Sequence, residues 1–187
     1  MAREVTVEVT RTGRRFEATA MLDLAADAQT VWDTITDYGG LPRFMPGIRA
    51  CRVRQREAMP HGDERLVVEQ EGEFRFLLFS QAMTVVLGIE NRRLRVSEAK
   101  AVAFDLGMFG ARAIDVFEGR YELTTLAARG KSPRTQLRYT SLIGLRLPPP
   151  PAIGSSAVRH NLAAQLHAVS DEIQRRSQRG AAAPDRP

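Results

Sequence analysis

The sequence contains very little cysteine and no long apolar segment. Cys51 is the single cysteine among 187 residues, so an internal disulfide is excluded and a zinc site built on clustered cysteines is not expected. No stretch approaches the roughly 20 consecutive apolar residues that a membrane-spanning helix requires. The first residues lack a basic region followed by an apolar run, so we expect no secretory signal peptide. Together these absences favour a cytoplasmic protein.

Lysine is also scarce, and arginine carries almost all of the positive charge. The 27 Lys and Arg residues outnumber the 22 Asp and Glu residues, which gives a formal net charge of +5. Arginine binds phosphates and carboxylates in a bidentate manner, so nucleic acid and anionic membrane surfaces have to be considered. However, Arg52, Arg54 and Arg56 alternate with other residues in a predicted strand, which indicates a solvated sheet face. We therefore do not favour nucleic acid as a partner, and transient contact with a membrane surface stays open.

The chain length suits one domain, and most of it has the alternating pattern of β-strands. The first fifteen residues are predicted to form an extended arm, and residues 16–24 the first strand. Six further strands follow at 48–56, 64–71, 74–89, 94–106, 116–126 and 135–145. Turn signals separate them, including Glu71-Gly72, Glu90-Asn91 and the glycine-flanked turn 107–110. These connections are too short for crossover helices, so the sheet is predicted to be antiparallel.

Helical patterns appear after the first strand and at the end of the chain. Asp27 is predicted to cap a short helix, and a second short helical turn covers 41–45. The four-proline run at 148–151 is typical of a stiff extended spacer. A long helix then runs from about residue 156 to 176, and its last residues precede a tail, 178–187, that we expect to be disordered. The apolar residues of this helix share one stripe: Val158, Leu162, Leu166, Val169 and Ile173.

These elements predict an α+β fold in which a curved antiparallel sheet of about seven strands surrounds the long C-terminal helix. The apolar face of the sheet must be covered, and that helix is the only predicted element long enough to do so. A space remains where the sheet and the helix diverge, and the two short helices would roof it. This arrangement predicts a concave apolar pocket.

Several segments resemble one known family. They are residues 26–32 and 36–38, the Leu-Pro-Arg-Phe-Met-Pro-Gly segment 41–47, the Phe-x-Gly-x-Tyr-x-Leu strand 117–123, and 137–140 before the proline run. Together they resemble the polyketide cyclase/dehydrase and coenzyme Q-binding protein family of the START-like, or Bet v 1-like (SRPBCC), superfamily. The resemblance spans roughly residues 16–176 and implies the helix-grip fold, with an extended arm at 1–15, a ligand-binding domain at 16–177 and a tail at 178–187. Members of that family include lipid and quinone carriers, aromatase/cyclases and a ribosome-binding toxin.

The sequence offers no set of residues that matches a catalytic or metal site. His61 lies in a predicted turn, and His160 and His167 are seven residues apart on the long helix, where metal-binding pairs more often use a spacing of four. Glu69 and Glu71 share a strand face and could act as an acid/base pair only if that face were the inner one. The neighbouring apolar residues are more natural core residues, so we predict no catalytic residues, no metal and no cofactor.

The favoured function is binding or carriage of a hydrophobic small molecule, such as a lipid, a quinone or a polyketide-like aromatic, without an obligate protein partner. Two alternatives stay open: an aromatase/cyclase acting on a polyketide-like substrate, and a macromolecular interaction module that uses the basic outer face. Tyr121 and Tyr139 are favoured as ligand contacts because a buried hydroxyl needs a partner. The apolar turn around Met108 and Phe109 is predicted to form a gate opposite residues 41–47. The candidate ligand-binding residues are Trp32, Phe44, Met45, Phe76, Leu78, Met83, Phe104, Met108, Phe109, Phe117, Tyr121, Tyr139 and Leu162.

Overall fold

A computed structural model of the chain describes residues 5–76, 79–105, 114–130, 132–146 and 154–182. The strands are β1 (Val7–Thr12), β2 (Arg15–Leu24), β3 (Ile48–Ala58), β4 (Glu64–Phe76), β5 (Phe79–Arg92), β6 (Val96–Asp105), β7 (Ile114–Arg129) and β8 (Ser132–Leu145). The helices are α1 (Ala28–Ile35), 3₁₀ helices at Tyr38–Arg43 and Pro60–Gly62, and the long helix α2 (Gly154–Ala182).

The described strands form one antiparallel sheet in the order β1-β2-β8-β7-β6-β5-β4-β3. The prediction of an α+β fold, with an antiparallel sheet around a long C-terminal helix, is confirmed. The sheet has eight strands rather than about seven, because Val7–Thr12 of the expected arm pairs with β2. Gly13, with φ of 61°, makes the turn between them. The alternation in β1 is hard to recognise because Val7 and Val9 are its only large apolar residues.

The boundary between β4 and β5 differs from the prediction for a steric reason. Glu71-Gly72 was expected to be a turn, yet β4 continues through both residues to Phe76. A Cβ atom on Gly72 would collide with the Gly47 carbonyl oxygen, and that oxygen accepts a hydrogen bond of 2.7 Å from the Glu73 amide. Gly72 is therefore a point of close backbone approach inside a strand, which is the other common reason for a glycine in a strand.

The apolar stripe of α2 is buried as its spacing predicts. Val158, Leu162, Leu166, Val169 and Ile173 are each no more than 5% exposed. The helix packs against β1, β2 and α1. It continues to Ala182, into the segment that was expected to be a tail, because the arginines, glutamines and alanines after its apolar stripe favour helix. None of the helices in the described ranges is long and apolar enough to cross a membrane.

The two short helical segments that follow β2 are both capped by aspartates. Asp27 accepts a 2.8 Å hydrogen bond from the Thr30 amide at the start of α1, as the sequence predicts. Asp37 accepts a hydrogen bond of 3.0 Å from the Gly40 amide and begins the 3₁₀ helix Tyr38–Arg43. This helix starts earlier than the predicted turn at 41–45, because Asp37 provides an N-terminal cap there.

Buried apolar side chains form two separate clusters on the concave face of the sheet. The first core joins β1, β2 and β8 to α1 and α2 and includes Phe16, Trp32, Leu137 and Leu166. The second core lies under the 3₁₀ helix Tyr38–Arg43, on β3, β4 and β5, and its members are Tyr38, Leu41, Cys51, Leu66, Val68, Val85, Leu87 and Ile89. The strands between the two cores, β6 and β7, are covered least.

Burial of the α2 stripe can be tested by replacing Leu166, which is 1% exposed, with aspartate. Leu166→Asp would place an unpaired charge in the first core, so we expect a loss of several kcal/mol of unfolding free energy or failure to fold. Urea unfolding followed by circular dichroism measures the change. Gln174→Asp, at an exposed position of the same helix, is the matched control and should change stability by less than about 1 kcal/mol. An unchanged melting temperature for Leu166→Asp would contradict the packing of α2.

Candidate functional site: the concave face between two cores

Between the two cores lies a group of apolar residues that are only partly covered. Phe44, Met45 and Phe117 pack against both cores and yet remain half-buried. Tyr121 on β7 and Ala99 and Ala101 on β6 also face inward and are half-buried, whereas the inward positions of β2 and β8 are buried. We call this region the inter-core site, and its half-buried members are Phe44, Met45, Met83, Ala99, Ala101, Phe117, Gly119, Tyr121 and Leu123. These side chains are apolar except for the Tyr121 hydroxyl.

Two tyrosines lie side by side on this face. Tyr121 on β7 is opposite Tyr139 on β8, and their ring centroids are 4.9 Å apart with the planes tilted by 44°. Burial raises the pKa of both hydroxyls, most strongly that of Tyr121, and the neighbouring Ser141 hydroxyl offsets part of the rise at Tyr139. Both tyrosines are therefore neutral at pH 7 and can donate a hydrogen bond without carrying charge.

A satisfied polar network lies at the edge of the second core. The Tyr38 hydroxyl lies 3.2 Å from Asn91 Oδ1 and 3.1 Å from Asn91 Nδ2, and Asn91 Nδ2 donates to Glu64 Oε1 at 2.9 Å. Arg56 pairs with the other oxygen of Glu64 at 2.9 Å. The sequence placed Asn91 in a turn, but β5 continues to Arg92 and Asn91 is 2% exposed. A buried amide has to be hydrogen-bonded, which explains its position opposite Tyr38.

Arg176 ties α2 to the segment that carries Phe44 and Met45. Its guanidinium donates to Asp37 Oδ2 and to Glu172 Oε1, both at 2.7 Å, and lies 5.9 Å from the centre of the Phe44 ring. Glu172 also accepts from Arg175, and these hydrogen bonds lower its pKa to about 2. Two of the elements around the inter-core site are therefore joined by charge-assisted hydrogen bonds. No sequence pattern indicates this contact, because Asp37 and Arg176 are 139 positions apart.

Many of the charged side chains on the outer face of the sheet are paired with one another. Glu69 accepts a 2.5 Å hydrogen bond from Arg54, which lowers its pKa, and Arg52 pairs with Glu71. Arg120 on β7 bridges Glu98 on the neighbouring strand β6 and Glu122 on its own strand. Glu69 and Glu71 thus face away from the inter-core site, so the inner position that an acid/base role required is not observed.

A shallow groove of about 590 Å³ lies on this outer face, across β3 to β6. Half of its twelve lining residues are charged, and two of its ion pairs are Arg65 with Glu90 at 3.3 Å and Lys100 with Glu98 at 3.4 Å. A groove rimmed by mutually paired charges offers little to an apolar ligand. We therefore place the candidate site on the concave face.

The candidate residues from the sequence fall into three groups. Five lie together, half-buried, in the inter-core site: Phe44, Met45, Met83, Phe117 and Tyr121. Three are buried in the first core: Trp32, Tyr139 and Leu162. Leu78, Met108 and Phe109 lie outside the described residues, and the side chains of Phe76 and Phe104 are not described either. The turn 107–110, which was predicted to form the gate, therefore also lies outside the described residues.

The histidines of the described ranges do not approach the site as a group. His61 lies in the 3₁₀ turn Pro60–Gly62 with φ of 64°, and His160 is exposed on α2. Across the part of the chain that the structure describes, no three His, Cys, Asp or Glu side chains are arranged to hold a metal ion.

An eight-stranded antiparallel sheet that wraps a long C-terminal helix, with two short helices after the hairpin β1–β2, defines the START-like helix-grip class. The sequence model of the family described as "Polyketide cyclase / dehydrase and lipid transport" matches residues 24–140, and the chain belongs to this family. A search of curated proteins finds no match.

Solved structures of the same fold resemble the chain at low sequence identity. The Zhui aromatase/cyclase from Streptomyces sp. R1128 is 20% identical with a TM-score of 0.66, and the alignment covers 90% of this chain and 98% of that one. A START superfamily protein from Mycobacterium smegmatis is 15% identical with a TM-score of 0.62, covering 85% and 97%. The di-domain ARO/CYC BexL, from the BE-7585A biosynthetic pathway, is 14% identical with a TM-score of 0.57, covering 93% of this chain and 52% of BexL.

The depressed pKa of Glu172 predicts a specific acid sensitivity. Its folded-state pKa of about 2 lies below the ordinary value of 4.5, so its stabilising effect is complete above pH 4.5 and is lost as the pH falls towards 2. Glu172→Gln should lower the unfolding free energy at pH 7 by about 1–2 kcal/mol, since the partly exposed guanidiniums are screened by solvent.

Urea unfolding between pH 7 and pH 2.5 should show the difference between Glu172→Gln and the unaltered chain shrinking as the pH falls. Glu8→Gln, on the exposed side of β1, serves as the control and should behave as the unaltered chain does. A difference that stays constant across this range would contradict the role given to Glu172.

Proposed function

We propose that the chain binds a hydrophobic small molecule in the inter-core site. The observation that carries the proposal is that Phe44, Met45 and Phe117 contact both cores but stay half-buried. Large apolar side chains grouped on a concave face and left partly uncovered are typical of a ligand site. Membership in a family described by polyketide cyclisation and lipid transport supports the same conclusion.

Burial of apolar surface supplies most of the binding free energy in this proposal. A ligand that buries 200 Å² of apolar surface gains about 5 kcal/mol at roughly 25 cal/mol per Å². Met45 and Met83 suit such a site because an unbranched thioether adapts to ligands of different shape. The lining therefore favours a bulky apolar molecule, such as a lipid, a quinone or a polyketide-like aromatic. Binding depends more on the apolar surface area of the ligand than on its exact shape.

We favour binding or carriage over catalysis because of the ionisable groups on the concave face. Among the described residues there, Tyr121 and Tyr139 have raised pKa values and remain neutral at pH 7. Glu64, the carboxylate beside Asn91, is engaged by the Arg56 guanidinium and by the Asn91 side-chain amide. The neighbours described as aromatase/cyclases keep cyclisation of a polyketide-like substrate as the second candidate.

A substitution that fills the inter-core site tests the proposal. Ala99 on β6 points into the site and is half-buried, so Ala99→Leu should occupy ligand space at little cost in stability. We expect its unfolding free energy to stay within about 1 kcal/mol of the unaltered chain or to rise. The affinity for Nile red, an uncharged apolar dye titrated by fluorescence, should fall at least about tenfold, a change of about 1.4 kcal/mol.

Ala20→Leu is the matched control, because Ala20 faces the same side of the sheet but is 3% exposed within the first core. The added methyl groups should overpack that core and cost about 1–3 kcal/mol, while the intrinsic affinity for the dye stays unchanged. The proposal fails if Ala99→Leu destabilises the chain as much as Ala20→Leu does, or if the unaltered chain does not bind the dye.

A further inference from the structure

A buried hydroxyl group on the concave face, that of Ser141, has no hydrogen-bond partner in the described part of the chain. Ser141 is 7% exposed and its Oγ is a buried atom; the neighbouring Tyr139 hydroxyl, whose pKa Ser141 helps to lower, does not reach hydrogen-bond geometry with it. The Tyr121 side chain is half-buried, and its hydroxyl also makes no hydrogen bond to a described residue. Buried polar groups without partners are rare, because each costs free energy that a hydrogen bond would recover.

The Tyr38 hydroxyl, on the 3₁₀ helix that packs on the same face, differs from these two because it has partners. The Tyr38 hydroxyl, on the second core, is paired with Asn91, which is in turn paired with Glu64. The chain therefore satisfies a buried polar group where it packs tightly. The two without partners, Ser141 and Tyr121, lie instead beside the half-buried residues of the inter-core site.

The strand register makes Ser141 and Tyr121 neighbours on the sheet. Ser141 is opposite Gly119 and Tyr139 is opposite Tyr121, so Ser141 and Tyr121 are diagonal neighbours on one face of β7 and β8, with their Cα atoms roughly 7–8 Å apart. Gly119, beside both, has no side chain to fill the surface between them. A Cβ atom placed on Gly119 would lie 3.6 Å from the Tyr139 hydroxyl, so that hydroxyl also points towards this spot.

We propose that Ser141 and Tyr121 are specificity-determining residues that hydrogen-bond a carbonyl or phenolic oxygen of the bound ligand. The inference rests on the proposed function and narrows it: the ligand carries an oxygen on an otherwise apolar frame and is not a plain hydrocarbon. A neutral oxygen suits the two hydroxyls better than a carboxylate, because neither donor carries a charge to offset the desolvation of an anion.

A pair of molecules that differ in one oxygen tests the inference. Fluorene and 9-fluorenone have the same tricyclic frame, and only fluorenone has a carbonyl group. Both are titrated against the whole chain by competition with Nile red. Ser141→Ala and Tyr121→Phe should each weaken fluorenone binding about two- to tenfold and leave fluorene binding within about twofold. Ser132→Ala, at an exposed position of the same strand, is the matched control and should change neither affinity.

Stability of the ligand-free chain gives a second readout. Because the Ser141 hydroxyl has no partner, Ser141→Ala should leave the melting temperature unchanged or raise it. A clear fall in melting temperature would show that the hydroxyl serves the fold and would overturn the inference.

The outcomes separate this inference from the proposed function. If Nile red binds but the fluorenone-to-fluorene ratio is the same in every variant, the inference is wrong and the proposed function stands. The same conclusion follows if Nile red binds and neither tricyclic compound does. If none of the three compounds binds the unaltered chain, both proposals fail.

Discussion

One helix cannot cover the apolar face of an eight-stranded sheet, and the rest of this structure follows from that constraint. Strands lie about 4.8 Å apart, so a sheet of this size is roughly 34 Å wide, whereas a helix is only about 10 Å across. The helix α2 covers the side formed by β1 and β2, and the 3₁₀ helix Tyr38–Arg43 covers β3 to β5. The strands β6 and β7 fall between these two covers, which is why the half-buried residues gather there.

The two covers do not act independently, because polar contacts connect them and fix their ends. Arg176 holds Asp37 at the start of the 3₁₀ helix, and Gly47 is held against β4 by the Glu73 amide. Phe44 and Met45 lie between these two anchors. Contacts at both ends of the segment 37–47 therefore hold these two residues over the inter-core site, in addition to the packing of their own side chains.

The sequence was sufficient to predict the fold, because the fold depends on periodic patterns. The spacing of Val158, Leu162 and Leu166 located the buried face of α2, and alternation located most strands. The prediction of a turn at Glu71-Gly72 was wrong, because glycine occurs both in turns and at close backbone contacts. Gly72 lies inside β4, where it allows the Gly47 carbonyl oxygen to approach. The candidate site was harder to predict. Tyr121 could be proposed from the sequence as a ligand contact, but Ser141 is marked only by the absence of a partner for its Oγ, which cannot be recognised until the register between strands is known.

The packing of α2 against β1 and β2 also has a consequence for the synthesis of the protein. The helix that covers the first strands is the last element of the domain to leave the ribosome, and β8, the partner of β2, comes only shortly before it. Until then Phe16 and Leu22 of β2 have no permanent cover. The nascent domain must therefore pass through a stage with an exposed apolar sheet, the kind of surface that chaperones recognise.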